Sequence, residues 1–385
     1  MRMLFVCTTS ATANAFLLPI AKYERDKGHD ISFACSFESF ADAKSAVDKL
    51  READFVVSEI PFVREISLSK DVIAFWSLKK LIQSNNYDLV HTFTSKAGFI
   101  GRAAAKAAGC PNIIHTVLGF EFQRYNYGMK KKMFIFLEKV ASLACDRILF
   151  ISDFTHQEAI RYRFKDESKL KFVGLSFDSI SQFKNFNADT KKVREQYAIP
   201  QNDMLVGSVG RLVYQKGMDT FIRAAALVLQ KHSSVTFMIA GSGSLLPELE
   251  ALAHSLGIAE KVKFAGALNT EQVMQLMSSL DVFVLSTRFE GLGLVYLEAM
   301  ALQCPVIGSR ISPVTEVIRE GETGLLATVD EPEDFAQAIS LLLDDPNMRQ
   351  QMGKAGPAYV EGKFSVQATL ERYNEIYQEV GAKER

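Results

Sequence analysis

Short apolar runs alternate with amphipathic stretches along almost the entire chain. Met3–Cys7, Ile31–Cys35 and Phe55–Val57 are the first of these runs. Short buried runs that alternate with helices indicate a parallel sheet that helices cover on both faces. The alternation is lost across the polar stretch Phe177–Lys192 and resumes at Met204–Val209. The pattern therefore predicts an α/β chain made of two successive Rossmann-like halves.

The length of the chain agrees with a division into two domains. At 385 residues it exceeds the roughly 250–300 residues at which a single hydrophobic core stops growing. We predict an N-terminal domain of residues 1–180, a connecting region of residues 181–203 and a C-terminal domain of residues 204–364. Ligands of such sheets bind beyond the carboxyl ends of the strands.

Composition and charge exclude several classes of function. The formal net charge is −1, so no global field recruits nucleic acid, and we expect no nucleic-acid partner. The five cysteines form no CxxC or metal-ligand spacing, which predicts no metal site and a reduced cytoplasmic location. No apolar stretch approaches the ~20 residues that span a bilayer. Any membrane contact is therefore expected to be peripheral, at the inner face of the plasma membrane.

The segment from Ser286 to Met300 carries the strongest chemical signal. The apolar run Val282–Leu285 stops before a segment with Glu290, the Gly-Leu-Gly step Gly291–Gly293 and Glu298. This order predicts a strand, a glycine-bearing loop and a helix N-terminus. Such a terminus presents unpaired N–H groups and a partial positive charge, which favour phosphate or a developing anion. We expect Glu298 to lie about two turns into an amphipathic helix.

Two cations follow an earlier apolar run. A predicted strand ends at Gly210, and Arg211 follows it directly. Lys216 precedes Gly217, where a helix is predicted to begin. Arginine offers a planar fork and lysine a point charge, so together they suit a diphosphate. A solvated turn with two incidental charges is the alternative for this segment alone.

Further glycines and a leucine follow two other predicted strands of the same half. Gly241–Gly243 comes directly after Thr236–Ala240. It either belongs to a ligand site or is only a tight turn that lets strand and helix pack closely. Leu268 follows Lys261–Phe264, where backbone groups could face a flat base.

The two glutamates raise the alternative of a glycosidase, which needs two carboxyl groups about 5–10 Å apart. Arg211 and Lys216 have no role in simple hydrolysis, whereas a leaving diphosphate requires such charge compensation. No GxSxG, HExxH or Walker motif is present, so those chemistries are excluded. In a purely structural interpretation, Glu290 caps the helix and Glu298 lies at the surface.

Taken together, these segments resemble the retaining glycosyltransferases of family 4, which have the GT-B fold. The resemblance is carried by Arg211, Lys216, Gly241–Gly243, Glu290 and Glu298 in FEGLGLVYLEAMA, Pro305, Glu316 and Gly321–Leu326, and more loosely by Asp88–Ala97 and Ile113–Phe120. It implies two Rossmann-like domains whose parallel sheets face each other across a cleft. It also implies that the C-terminal domain holds the nucleotide, and that a helix at residues 365–380 packs back onto the first domain.

The resemblance also implies roles for individual residues. Arg211 and Lys216 would bind the donor diphosphate, Glu298 the ribose hydroxyls, and Glu290 the transferred sugar. The catalytic set is then Glu290, Arg211 and Lys216, and the donor-binding set is Gly210, Gly241, Leu268, Gly291, Leu292, Gly293, Leu294 and Glu298. No metal or other cofactor is implied, because the cations and helix dipoles replace the metal, and the UDP-sugar is a co-substrate.

The first half departs from the family at two places. Many relatives carry a histidine at the position of Leu118, at the sugar-transfer site, and a Gly-Gly pair in the loop that here reads Thr8–Ala11. No role is transferred to Leu118. His115 lies three residues earlier and is an alternative. The run that starts at Asp88 predicts a strand that ends at His91. A weaker expectation places a further set at the acceptor or the cleft, namely Thr9, His91, Lys96 and Gly119.

The stretch Tyr125–Lys139 combines three consecutive lysines with large apolar residues. It predicts a basic amphipathic helix that touches an anionic membrane or a lipid diphosphate. An ordinary helix whose apolar side faces the core is the alternative, and the sequence does not decide between them.

The sequence therefore predicts a metal-independent, retaining glycosyltransferase. It would move a hexose or N-acetylhexosamine from a UDP-sugar to a glycan or lipid-linked saccharide in surface polysaccharide synthesis, such as lipopolysaccharide or capsule. Two alternatives stay open. One is a non-catalytic sugar-nucleotide-binding protein, which Leu118 motivates. The other is a sugar-nucleotide epimerase on the same fold.

Overall fold

The computed structural model describes residues 1–37, 43–63, 67–124, 128–175, 183, 186 and 188–382. The chain divides into two compact units. Unit 1 comprises Met1–Asp178 together with Phe364–Arg385, and unit 2 comprises Ser179–Lys363. Residues 125–127 of the predicted basic helix lie outside the described residues, as do several residues of the predicted connecting region.

Unit 1 alternates strands and helices. Its strands are β1 (Arg2–Thr9), β2 (Asp30–Ser36), β3 (Val56–Glu59), β4 (Leu89–Phe93), β5 (Asn112–Val117), β6 (Arg147–Phe150) and β7 (Leu170–Phe172). Its helices are α1 (Ser10–Thr12), α2 (Leu18–Asp26), α3 (Ala43–Glu52), α4 (Leu68–Asn85), α5 (Ser95–Ala108), α6 (Met129–Ser142) and α7 (Asp153–Arg161), with a helix described below closing the unit. The strands form one sheet in the order β3-β2-β1-β4-β5-β6-β7, and every pair is parallel.

The sheet of unit 1 is covered by a core on each face, which explains why its strands are apolar throughout. Successive side chains of a strand point to opposite faces. Accordingly, Leu4 and Val6 of β1 pack with α4 and α5, whereas Met3, Phe5 and Cys7 pack on the other side. The second core is closed by the C-terminal helix of the chain.

Unit 2 repeats this architecture. Its strands are β8 (Met204–Val209), β9 (Val235–Ala240), β10 (Val262–Gly266), β11 (Val282–Leu285), β12 (Val306–Ser309) and β13 (Gly324–Ala327). Its helices are α8 (Thr190–Gln196), α9 (Met218–Leu229), α10 (Leu246–Ser255), α11 (Thr270–Met277), α12 (Leu294–Ala301), α13 (Val314–Val317), α14 (Pro332–Asp344) and α15 (Pro346–Lys363). The sheet order is β10-β9-β8-β11-β12-β13, and all its pairs are parallel.

The prediction of two Rossmann-like α/β domains is confirmed, because both units are parallel sheets whose strand order reverses beside the first strand. Details differ from the sequence pattern. The short strands β7 and β13 and the helix α3 were not predicted. The connecting region of residues 181–203 contains α8, which belongs to unit 2.

The last helix, α16 (Val366–Gly381), belongs to unit 1 and contributes to its second core. Leu370, Tyr373, Ile376, Tyr377 and Val380 are its buried apolar residues in that core. Their spacing places them on one side of the helix, which agrees with the helix at residues 365–380 that the family resemblance implies.

A buried carboxyl group lies beneath α16. Glu24 of α2 is fully buried, and its Oε2 accepts a hydrogen bond of 3.0 Å from Nδ2 of Asn374. His29 Nε2 lies 3.6 Å from the same oxygen, and Oε1 has no hydrogen-bond partner among the described residues. Burial raises the pKa of Glu24 to about 7, an effect that the bond from Asn374 partly offsets.

Glu24→Gln should change how stability depends on pH. The unfolded chain releases this proton near 4.5 and the folded chain only near 7, so the folded state loses stability as pH rises between these values. Glutamine mimics the protonated group and removes this loss. Between pH 5 and pH 8, the free energy of unfolding of the wild type should fall by about 2 kcal/mol more than that of the variant. Denaturant unfolding at both pH values measures this, and equal losses in the two proteins would contradict the assignment.

Candidate functional site

The candidate site lies where the strand order of unit 2 reverses. Strands β8 and β11 are neighbours in the sheet, with Val206 paired to Val282. The chain leaves β8 toward one side of the sheet and β11 toward the other, which opens a crevice at their carboxyl ends. Arg211 and Lys216 lie in the loop after β8, and Glu290 lies in the loop after β11. The fold therefore brings the predicted cations and one predicted carboxylate to adjacent strand ends.

Lys216 and Glu290 form a hydrogen-bonded ion pair between these two loops. Lys216 Nζ donates to Glu290 Oε1, and the two side chains are only 15% and 8% exposed. Thr287 Oγ1 donates to the same oxygen at 3.1 Å. Both contacts use Oε1, and within the described residues Oε2 accepts no hydrogen bond. Glu290 is thus held in place while one carboxylate oxygen stays available for a ligand.

The turn Tyr214–Lys216 is pressed against the end of β11. It is followed by Gly217, which has a φ of +62° and leads into α9. A Cβ atom at Gly217 would lie 1.9 Å from the carbonyl oxygen of Ser286, and Ser286 Oγ donates to the Gly217 carbonyl at 2.6 Å. Only glycine fits this approach, so the backbone fixes the position at which Lys216 leaves the turn.

Arg211 is connected to the loop of Glu290 through Gln215, which hydrogen-bonds both. Arg211 Nη2 donates to Gln215 Oε1 at 2.8 Å, and Gln215 Nε2 donates to the carbonyl of Phe289 at 2.9 Å. Arg211 itself is exposed, in contrast to Lys216. The arrangement provides one solvent-facing and one mostly buried cation at a single strand end.

The glycines after β9 make a close backbone contact with the loop after β8. A Cβ atom at Gly241 would lie 1.9 Å from the carbonyl oxygen of Gly210, and one at Gly243 would lie 2.2 Å from that of Leu212. The close packing of the two loops leaves no room for a Cβ atom and therefore explains why both positions are glycine. Their role in binding a donor stays a prediction.

Helix α12 differs from its predicted form. It begins at Leu294, so Glu298 lies little more than one turn into it, and the expectation of two turns is wrong. The expectation of an amphipathic helix is also wrong, because its residues from Tyr296 onward are nearly all buried. Tyr296 Oη donates to the carbonyl of Leu285 at 2.7 Å and fixes the helix start against β11. The N-terminal amides of α12 and the loop Gly291–Gly293 that precedes it therefore lie at the same strand end as Glu290.

Glu298 is an unusual carboxylate. Part of the residue reaches solvent, but the surroundings of its carboxyl group raise its pKa to about 7, through burial first and against the opposing charge of Lys216. Among the described residues its carboxyl group has no hydrogen-bond partner. A carboxylate with this environment is poised to accept hydrogen bonds from ligand hydroxyls.

Glu298 predicts a pH-dependent affinity for a nucleotide sugar. Ligand hydroxyls favour the ionised carboxylate, and Glu298 ionises near pH 7. The affinity for a UDP-sugar, whose phosphates have no ionisation in this range, should rise by about tenfold from pH 6 to pH 8. In Glu298→Gln the affinity should be weaker and nearly independent of pH. Calorimetric titrations measure it, and the same pH dependence in both proteins would refute the role of Glu298.

Leu268 lies in the loop between β10 and α11. It lines a pocket of about 280 Å³, together with Tyr197 and Gln275 among others. The residues that line this pocket do not include Lys216 or Glu290. The expected role of Leu268 at a nucleotide base therefore stays a prediction.

The candidate residues of unit 1 lie at the carboxyl ends of three strands, β1, β4 and β5. Thr9 ends β1 and caps α1 by accepting the Thr12 N–H at 3.3 Å. Lys96 lies in the first turn of α5 and forms an ion pair of 2.7 Å with Asp71. The carbonyl of Gly119, just beyond β5, accepts a hydrogen bond of 3.3 Å from Ser95 Oγ. Their expected contact with an acceptor stays a prediction.

Both histidines considered for this region lie in the core. The prediction that a strand ends at His91 is wrong, because β4 continues to Phe93 and His91 is fully buried. Its Nδ1 lies 2.6 Å from Tyr377 Oη, and burial holds its pKa well below the usual range. His115 is buried in β5, where Nδ1 lies 3.0 Å from Thr92 Oγ1. Neither side chain reaches the surface, so the structure does not support the alternative role of His115 or the expected contact of His91 with an acceptor.

Helix α6 and its C-cap residue Leu143 present an exposed apolar stripe, which we name the α6 stripe. Its members are spaced by four and three residues and are Met129, Met133, Phe136, Val140 and Leu143. Phe136 is 64% and Leu143 77% exposed, so this side of the helix does not face the core. Lysines flank the stripe at positions 130–132 and 139. Among the described residues, no helix is both long and apolar enough to span a bilayer.

Three residues that hold the loops of Lys216 and Glu290 in place were not anticipated from the sequence. Thr287 and Gln215 hold Glu290 and Arg211, and Arg288 binds the turn before Lys216. Thr287 and Arg288 stand inside the segment that carries Glu290, so their position was the only available signal. Their contacts depend on loop conformations that spacing does not specify.

Comparisons with known proteins give the same picture. The profile of the family described as "Glycosyl transferases group 1" matches residues 189–359, within unit 2. That of "Glycosyl transferase 4-like" matches residues 5–152, within unit 1. Together they account for most of both Rossmann-like units.

Several individual proteins are similar over most of their length. The capsular polysaccharide biosynthesis glycosyltransferase CapM of Staphylococcus aureus is 28% identical over 83% of each chain. An Escherichia coli enzyme named UDP-Gal:alpha-D-GlcNAc-diphosphoundecaprenol alpha-1,3-galactosyltransferase is 27% identical over 82% of this chain and 81% of its own. The structure of Anabaena Alr3699/HepE, solved with UDP and glucose, superposes with a TM-score of 0.81 at 21% identity, covering 98% of this chain and all of that one.

The resemblance noted in the sequence is thereby confirmed at the level of family and fold. Two profiles match the two units in chain order, and the strand order of each unit is that of a Rossmann-like domain. The chain belongs to the group 1 glycosyl transferases, with the GT-B fold.

Proposed function

We propose that the protein is a retaining glycosyltransferase that uses a UDP-sugar. It transfers a hexose or N-acetylhexosamine to a glycan or lipid-linked saccharide during surface polysaccharide synthesis. The observation that carries this proposal is the Lys216–Glu290 pair at the switch point of unit 2, beside the carboxyl group of Glu298. One cation, one held carboxylate and one carboxyl group that accepts no hydrogen bond from the described residues match a diphosphate flanked by two sets of hydroxyls.

The reaction follows from this charge arrangement. The acceptor hydroxyl attacks the anomeric carbon from the face that the diphosphate leaves. A new C–O bond forms as the bond to the β-phosphate oxygen breaks, and a phosphate oxygen takes the acceptor proton. Arg211 and Lys216 stabilise the charge that develops on the diphosphate, and Glu290 Oε2 orients a sugar hydroxyl. The configuration at the anomeric carbon is retained because both bonds lie on one face.

We propose that this chemistry requires no metal ion. A leaving diphosphate needs positive charge next to it, which a divalent cation supplies in many enzymes. Here the guanidinium of Arg211, the ammonium of Lys216 and the N-terminus of α12 supply it instead. Transfer should therefore persist in excess EDTA.

Relatives support the donor and the acceptor class. The E. coli enzyme is named for transfer from UDP-Gal to a diphosphoundecaprenol-linked sugar, and CapM for capsular polysaccharide biosynthesis. The Anabaena protein was solved with UDP and glucose. We therefore propose a UDP-sugar donor and favour a lipid-linked saccharide as acceptor.

A donor screen tests this proposal. The protein is titrated with UDP-, GDP- and ADP-sugars, with thermal stability as the readout, because a bound ligand raises the unfolding temperature. The stabilising donors are then incubated with a diphosphoundecaprenol-linked saccharide, and products are followed by mass spectrometry. We expect stabilisation by a UDP-sugar and a product that is heavier by one sugar.

The same screen separates the two alternatives. A sugar-nucleotide-binding protein would be stabilised by the UDP-sugar without transfer or slow hydrolysis across the panel. An epimerase would convert the donor into an isomer when no acceptor is present. Either result would replace the proposed transferase activity.

We further propose that the α6 stripe contacts an anionic membrane where a lipid-linked acceptor resides, which places the protein at the inner face of the plasma membrane. Exposed apolar side chains flanked by lysines favour such a surface. Replacing both Phe136 and Leu143 by serine should reduce co-sedimentation with vesicles containing anionic lipid. Leu341→Ser, at an exposed leucine of unit 2, is the control and should bind as the wild type does. Unchanged binding of the double variant would exclude this surface.

A further inference from the structure

We infer that Arg288 is a positioning residue for the donor site, which holds the turn of Lys216 against the loop of Glu290. The inference rests on the proposed function, since it concerns the same site. It assigns a role to a residue of the Glu290 loop whose guanidinium bonds Asp219 and Asp330.

Arg288 binds the turn Tyr214–Lys216 with both its backbone and its side chain. The backbone N–H of Arg288 donates to the Gln215 carbonyl at 2.8 Å. Its Nη1 donates to the Tyr214 carbonyl, also at 2.8 Å, and the guanidinium carbon lies 4.2 Å from the centre of the Tyr214 ring. The turn is therefore held at two consecutive carbonyls and on the face of its aromatic side chain.

Two aspartates hold the guanidinium in this position. Asp219, in the first turn of α9, accepts hydrogen bonds from Nη1 and Nη2 at 3.1 and 2.8 Å. Asp330 accepts one from Nε at 2.7 Å. The Arg288 side chain is only 12% exposed, whereas Asp219 and Asp330 are 39% and 48% exposed, so the guanidinium is shielded while the two carboxylates reach solvent.

The network bears directly on the Lys216–Glu290 pair. Lys216 is the last residue of the held turn, and Glu290 lies two residues after Arg288. On the other side, Thr287 Oγ1 lies 2.9 Å from the Gln215 carbonyl oxygen and 3.1 Å from Glu290 Oε1, so its single proton can be donated to either loop. Arg288 and Thr287 thus fix the position of one loop relative to the other. This relative position determines where the ammonium of Lys216 contacts the carboxylate of Glu290.

Arg288 is better suited to positioning than to binding the diphosphate itself. Its Nε, Nη1 and Nη2 atoms all donate to Asp219, Asp330 or Tyr214. The two aspartates also outweigh its charge. A planar fork that bonds one carboxylate bidentately, a second carboxylate and a carbonyl cannot be replaced by the point charge of lysine.

A double-mutant cycle on donor binding tests the inference. UDP-sugar affinity is measured calorimetrically for the wild type, Arg288→Met, Lys216→Met and the double variant. If Arg288 acts through Lys216, Arg288→Met should weaken the affinity for the UDP-sugar by about tenfold when Lys216 is intact, a size typical of coupled neighbours. It should have almost no further effect when Lys216 is already replaced. Arg288→Lys should resemble Arg288→Met, because the fork is lost while the charge stays.

The control is Arg310→Met. Arg310 also makes a bidentate ion pair, with Glu320 at 2.6 and 2.7 Å, and also donates to a carbonyl, that of Leu326, but it does not touch the turn. It should leave UDP-sugar affinity unchanged. Thermal unfolding of all variants shows whether a loss of affinity reflects loss of the fold.

The outcomes separate the two proposals. Wild-type protein that binds no UDP-sugar would overturn the proposed function, and the inference about Arg288 with it. If the wild type binds a UDP-sugar and the double variant loses affinity by the product of the two single losses, only the inference is overturned, because Arg288 would then act independently of Lys216. Normal affinity in a folded Arg288→Met variant would also overturn it.

Discussion

Glu290→Gln should lower the rate of sugar transfer by about 100- to 1000-fold, the loss typical when one group that stabilises a transition state is removed. Glutamine has nearly the same shape and can still accept the hydrogen bonds of Lys216 and Thr287. What it lacks is the negative charge and the second strong acceptor, Oε2, that orients the sugar hydroxyl. UDP itself has no sugar, so its affinity should change by less than about threefold.

The measurement compares steady-state transfer with calorimetric binding of UDP. Glu320→Gln is the matched control, because Glu320 is also paired with a cation but lies in the exposed Arg310 pair. It should transfer at the wild-type rate. Transfer at the normal rate by Glu290→Gln would show that the site is wrongly assigned.

Lys216→Met should weaken both donor binding and transfer. Methionine preserves the bulk of the side chain but removes the ammonium that faces the diphosphate. The affinity for a UDP-sugar should fall by about 10- to 100-fold, the effect of losing a charge-assisted contact of roughly 1.5–3 kcal/mol. The pKa of Glu298 should also rise above about 7, because the charge of Lys216 lowers it in the wild type.

The same substitution leaves Glu290 charged in a shielded position without its cation. Removing one partner of a mostly buried pair costs about 3 kcal/mol of unfolding free energy. Adding Glu290→Gln should restore much of this stability, since no unpaired charge is left, but it should not restore transfer. Denaturant unfolding and transfer assays on the single and double variants test both statements. If the double variant is no more stable than Lys216→Met, the ion pair does not have the energetic role assigned to it.

The sheet architecture could be predicted because strands buried on both faces of a parallel sheet must be apolar throughout. Runs such as Val282–Leu285 stand out for that reason. Strands β7 and β13 were missed because they are short and lie at the edges of their sheets. The strand of His91 was predicted to end too early, because Thr92 is polar. Inside the sheet, however, the Thr92 hydroxyl donates a hydrogen bond to the Ile114 carbonyl.

The site was predictable as a set of residues at neighbouring strand ends, but its internal contacts were not. Spacing placed Lys216 before a helix and Glu290 after a strand, and the strand order then made them neighbours. Their direct pairing depends on the conformation of two loops, which Gly217 and Arg288 determine. The helix of Glu298 was also misjudged, because a loop residue and the first turn of a short buried helix look alike in sequence.

The most direct test of a retaining, metal-independent transferase is a time course by proton NMR. The wild type and Glu290→Gln are each mixed with a UDP-sugar and a lipid-linked saccharide in excess EDTA, and the anomeric signals are followed. The account predicts that the wild type forms a product with the anomeric configuration of the donor, and that Glu290→Gln forms little or none. A product of inverted configuration, a strict need for a divalent metal, or bound donor that is never transferred would contradict it.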